Sequence, residues 1–125
     1  MDGKICLDTD ACINIINNKH NITKVLDRLE GDLAFVSTIT VFELHMRKTN
    51  VSEVQAFLES VYFLPFDDVA AIEASNIMKN LQRKGKPVGF RDVFIAATAI
   101  TNDCRLLTFN KKHYEDIKEL EIVTI

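Results

Sequence analysis

The chain has 125 residues, of which 47% are hydrophobic and 26% charged, and a formal net charge of −3. That suits one ordinary globular domain spanning 1–125 with a single core, and the balance does not advertise the basic face of a nucleic-acid-binding module. No run approaches the roughly 20 apolar residues of a membrane span, and no basic segment leads into a long apolar one at the N-terminus, so no membrane partner or signal peptide is expected and the cytoplasm is the default compartment.

Lys4 to Leu7 reads as a short buried strand. Asp10 to Asn17 reads as a helix with Asp10 at its N-cap. After a polar break, Ile22, Val25, Leu26 and Leu29 recur at helical spacing. Leu33 to Val36 is a second buried strand, followed by a helix from about Thr40 to Arg47. Another helix starts at Asn50 or Val51, with Val54, Phe57, Leu58 and Val61 on one face. Tyr62 to Leu64 forms a third short strand that Pro65 stops. Asp67 or Asp68 caps a long helix carrying Ala70, Ala74, Ile77, Met78 and Leu81 inward.

Gly85, Pro87 and Gly89 break the chain, and Asp92 to Thr101 is apolar almost all round, as in a helix buried on several sides. Arg105 to Thr108 and Ile122 to Thr124 are the last strands, with a short helix near Lys111 to Asp116 between them. Strands alternating with helices argue a three-layer α/β/α sandwich around a central parallel sheet. Right-handed crossovers then gather the loops after each strand on one edge.

Three acids stand where that edge would collect them. Asp8 follows Ile5-Cys6-Leu7 directly, and a carboxylate at the end of a buried strand needs a partner. Glu43 lies in Ser37-Thr38-Ile39-Thr40-Val41-Phe42-Glu43-Leu44. There Thr40-x-x-Glu43 also reads as a capping box, although the apolar neighbours favour a helix start pressed into the core. Asp92 opens the apolar helix, where an acid also complements the helix dipole. Asn110, after Leu106-Leu107-Thr108-Phe109, takes a fourth position of the same kind, or caps the next helix.

Clustered carboxylates with no built-in cation bind protons or a hard metal ion. Asp8, Glu43 and Asp92 are therefore the candidate ligands of Mg²⁺ or Mn²⁺, with Asp10 capping or acting through a water. Such an ion activates water and neutralises a phosphate under in-line attack. No histidine stands in an obvious place for a general base. Arg83, Lys84, Lys86 and Arg91 around Asp92, and Lys111, Lys112 and His113 after Asn110, either form a local basic patch that offsets the clustered acids or are solvated faces. Cys6, Cys12 and Cys104 lack zinc-type spacing and read as buried thiols in a reducing compartment.

Taken together, Leu7-Asp8-Thr9-Asp10, Ser37 to Leu44, Asp92-Val93-Phe94-Ile95-Ala96-Ala97-Thr98-Ala99 and Leu106 to Tyr114 resemble the four blocks of a PIN domain, most closely a VapC-type toxin nuclease. The resemblance runs the length of the chain in the right order. It implies a Mg²⁺- or Mn²⁺-dependent endoribonuclease, a homodimer, and a small cognate antitoxin as partner. Asp8, Glu43, Asp92 and Asn110 then match the catalytic positions, with asparagine where many members carry aspartate. Thr9 and Thr40 match the small hydroxyl positions beside the acids and, with Arg91 and Lys111, are candidates for substrate binding.

The competing reading is a PIN-like RNA- or protein-binding module of weak activity. A third is an aspartyl-phosphate phosphatase built on Asp8-Thr9-Asp10. Cys12 stands where that chemistry wants a threonine or valine, and no lysine is placed to serve the phosphate.

Overall fold

The computed structural model describes residues 3–17, 31–86 and 88–123. Its strands are β1 (Lys4–Leu7), β2 (Leu33–Ser37), β3 (Tyr62–Leu64), β4 (Arg105–Leu107) and β5 (Ile122–Val123). Its helices are α1 (Thr9–Ile16), α2 (Thr38–His45), α3 (Val51–Glu59), α4 (Asp68–Arg83) and α5 (Phe90–Thr101). A single 3₁₀ turn, Lys111–His113, stands where the short helix near Lys111 to Asp116 is expected. The periodic helix from Ile22 to Leu29, and Thr124 of the last strand, lie outside the described residues.

The five strands form one sheet in the order β3-β2-β1-β4-β5, and every pairing is parallel. Period-two alternation decides what each strand buries on either face. Ile5, Leu7, Val36 and Leu107 pack with Ala11, Cys12, Leu44, Val54 and Leu58 on the face covered by α1, α2 and α3. Cys6, Leu64 and Leu106 pack with Leu81, Val93, Ile95 and Ala97 on the face covered by α4 and α5. This is the expected α/β/α sandwich. α5 buries Val93, Ile95, Ala96, Ala97, Thr98 and Ala99, which explains a sequence with so little polar surface.

The order reverses at β1. From there the chain moves to β2 and β3 on one side, and β4 and β5 fill the other. At such a switch point the connections after neighbouring strands diverge and leave a crevice beyond the carboxyl ends. Leu7 pairs with Leu107, so Asp8 and Thr108 leave the sheet side by side over that crevice.

The turn that brings α5 over the same edge is built by Gly85. Its φ of 67° is left-handed. Lys86 N–H reaches Leu81 C=O and Gly85 N–H reaches Gln82 C=O, which closes α4 in a Schellman motif.

Two substitutions test this framework by urea denaturation. Leu106→Ala, at a fully buried site, should lose about 2–5 kcal/mol. Gly85→Ala, with open space around the new methyl, should lose only about 1–2 kcal/mol, from the left-handed backbone alone.

Candidate active site

Asp8 is the deepest acid. It is 2% exposed and caps α1, with Oδ1 accepting from Ala11 N–H at 2.8 Å. Its other oxygen accepts from the Thr108 hydroxyl at 2.6 Å. Burial is the largest influence on its carboxyl and pushes its pKa up to about 6. The two hydrogen bonds pull the other way, and the charges of Asp10 and Asp92 add to the rise. The expected division of labour is corrected here. Asp8, with extended backbone at the strand's end, is the N-cap, and Asp10 lies in the first turn of the helix.

Glu43 projects from α2. The capping-box alternative fails because the helix begins at Thr38 and Ser37 caps it, its hydroxyl accepting from Ile39 N–H at 3.1 Å. Thr40 is thus one turn inside and wholly buried. Its hydroxyl meets that of Thr9 at 3.1 Å, and Thr9 donates to Glu43 Oε1 at 2.5 Å. Thr9 faces the pocket. Thr40 sits behind it, outside the pocket lining, in contact with Thr9. The other Glu43 oxygen pairs with Arg91 Nη1 at 2.5 Å.

Asp92, in the first turn of α5, accepts from the Tyr114 hydroxyl at 3.2 Å and pairs with His113 Nδ1 at 3.1 Å. Tyr114 is 1% exposed, and its hydroxyl is turned to Asp92. Burial, then the charges of Asp8 and Asp92, raise its pKa far above the ordinary tyrosine value, so it stays a proton donor to Asp92. Against expectation, a histidine does stand in the pocket wall. His113 and Tyr114 lie within the segment that carries Asn110, but neither shows a sequence pattern that sets it apart from a surface turn and a core aromatic.

Asn110 does not cap the 3₁₀ turn. Its side chain donates to Asp10, closing the rim between α1 and the end of β4. Lys111 is exposed and lies outside the pocket lining.

One cavity of about 290 Å³ collects these groups: Asp8, Thr9, Asp10, Glu43, Arg91, Asp92, His113 and Tyr114, with Ile13 and Ile95 as apolar walls. Four carboxylates from three distant segments therefore share one space. They ring it without meeting. Among the described residues no three His, Cys, Asp or Glu side chains stand close enough to hold one ion together. Each carboxylate is instead turned to a hydroxyl, an amide or a cation, in most cases from a neighbouring element.

The donor set still suits a hard divalent cation. It is all oxygen, its deepest member is held protonatable near neutrality by burial, and such ions keep several waters and need only one or two carboxylates. The three cysteines are buried apart from this chemistry, and burial raises all three thiols.

The PIN domain family model matches residues 5–120. The tRNA(fMet)-specific endonuclease VapC of Salmonella typhimurium is 32% identical to the chain, over 95% of it and 96% of the relative. Ribonuclease VapC1 of Methanocaldococcus jannaschii is 30% identical, over 94% and 84%. Among solved structures, DNA-bound VapBC from Salmonella typhimurium superposes with a TM-score of 0.87 at 31% identity, covering 98% of each chain. VapBC2 from Rickettsia felis, bound to promoter DNA, gives 0.87 at 23%, also covering 98% of each, a likeness of fold.

The raised Asp8 carboxyl has a consequence for the protein without divalent ions. Between the unperturbed 3.8 and about 6, the folded state holds a proton that the unfolded chain has released. The contribution of this group to stability is thus greatest at the acid end and falls as pH rises through about 6. Asp8→Asn keeps the cap and removes the charge. In EDTA it should raise stability near neutral pH by on the order of 1–3 kcal/mol and leave little difference near pH 4. Urea titrations at the two pH values check this.

Proposed function

The chain belongs to the PIN domain family, and on that premise we propose that it is an endoribonuclease of the VapC toxin type, dependent on Mg²⁺ or Mn²⁺ and held in check by a small antitoxin. The observation that carries the reading is the arrival of Asp8, Glu43 and Asp92, from three separate segments, around one cavity at the switch point of the sheet. The names of the relatives supply the reaction class, and the four carboxylates of the lining supply a chemical reason for the metal.

Asp8 and Asp92 are the ligands we assign first, with Glu43 as the third. A divalent ion bound there supplies a water acidic enough to attack at neutral pH and offsets charge on the phosphate. The protein's own groups do the rest. Thr9 and Thr40 hold Glu43 at the wall, and Tyr114 keeps its proton and donates a hydrogen bond to Asp92. Asn110 orients Asp10 at the rim. Ile13 and Ile95 lower the local dielectric, which strengthens every charge interaction inside. Arg91 and Lys111 meet the RNA backbone as it enters.

The comparison with VapBC complexes supports an antitoxin partner, and we extend the proposal to a homodimer. Exposed apolar side chains supply surface that a partner would cover, notably Phe42 and Met46 on α2 and Phe90 on α5. Among the described residues no helix is long and apolar enough to cross a membrane.

Single-stranded RNA should be cut by the wild type with Mg²⁺ or Mn²⁺ and left intact in EDTA. Asp8→Asn, Glu43→Gln and Asp92→Asn should each lose more than about a hundredfold in cleavage with unchanged circular dichroism. Wild-type turnover by any of these variants overturns the site. Lys111→Ala should weaken RNA binding and lower the slope of log K against log salt by about 1.

A further inference from the structure

Arg91 and Glu43 form an asymmetric pair. Their atoms are 2.5 Å apart, yet the arginine side chain is 76% exposed and the glutamate 11%. The glutamate is fixed from behind by Thr9, while nothing else among the described polar contacts holds the guanidinium. A pair with one end in water is readily broken and screened by salt. It also covers the one oxygen of Glu43 that Thr9 leaves open.

We propose that Arg91 is a resident counter-ion which occupies Glu43 in the absence of a divalent cation, competes with that cation for the carboxylate, and is released toward the cavity mouth when the cation binds. The inference rests on the divalent-ion reading of the pocket and goes beyond it by naming an internal competitor for one ligand. His113 makes the analogous contact to Asp92, but Arg91 is charged at every working pH, so its competition is constant. Because the coupling is reciprocal, the ion loosens Arg91 as much as Arg91 opposes the ion. A freed guanidinium beside the cavity then adds one phosphate contact only when the site is loaded.

The test is calorimetric titration with Mn²⁺ alone, without RNA, on the full chain. Arg91→Gln should bind Mn²⁺ roughly three- to tenfold more tightly than the wild type at low salt, the gain shrinking as KCl is raised. Arg91→Lys should stay near the wild type. In a Glu43→Gln background, adding Arg91→Gln should change affinity by less than about twofold, since the competition acts through that carboxylate.

Weaker or equal binding by Arg91→Gln overturns the proposal, because an arginine that merely positions Glu43 predicts a loss. An undiminished gain in the Glu43→Gln background overturns it too, as it reduces Arg91 to a distant charge. If the wild type and Asp8→Asn take up Mn²⁺ alike, or not at all, the ion reading itself fails and the counter-ion role falls with it.

Discussion

A carboxylate taken out of water at the end of the central strand is the constraint from which the rest of the site follows. Asp8 cannot leave the sheet without desolvation, because β2 and β4 flank it and helices cover both faces. Its charge is supported by one amide and one hydroxyl, which is too little to hold its pKa at an ordinary carboxylate value. The neighbourhood is arranged around that deficit. Tyr114 donates to Asp92, while Arg91 stands against Glu43 and His113 against Asp92. The result is a ring of acids around one cavity, each held by a partner of its own.

Topology makes the ring possible at little backbone cost. A parallel sheet places every strand's carboxyl end on one edge, and the reversal beside β1 opens that edge. Helices α1, α2 and α5 then aim first-turn or second-turn residues into the gap. The Schellman turn at Gly85 has no part in the chemistry, but it sets the path on which α5 returns, and so the place of Asp92 and Arg91.

Much of this was legible before any coordinates. Strand alternation, the Pro65 stop and the apolar run after Asp92 report on burial, which is local in sequence, and they placed the layers correctly. The acids were legible for the same reason, as each interrupts or ends an apolar run.

The errors share a physical cause. Asp8 and Asp10 are both good capping residues, and only the backbone angles at the strand's end decide which one caps. Thr40-x-x-Glu43 has the form of a capping box, but Ser37 starts the helix three residues earlier. Asn110 resembles a cap and instead reaches across to Asp10. The roles of Tyr114 and His113 depend entirely on contacts with α5, more than twenty residues upstream, and no neighbouring residue announces them.

The hydrogen bond from Thr108 to Asp8 joins residues 100 positions apart, and Tyr114 lies later still. Of the five described strands the innermost is therefore the first to be synthesised and among the last to gain both neighbours. A nascent polypeptide carries Asp8 through most of its own translation with no Thr108, no Tyr114 and no β4 to complete the cavity. Long-range closure of this kind delays folding until the distal segment is available. A growing chain that still lacks the stretch from β4 to Tyr114 cannot assemble this cavity while it is tethered to the ribosome and its message.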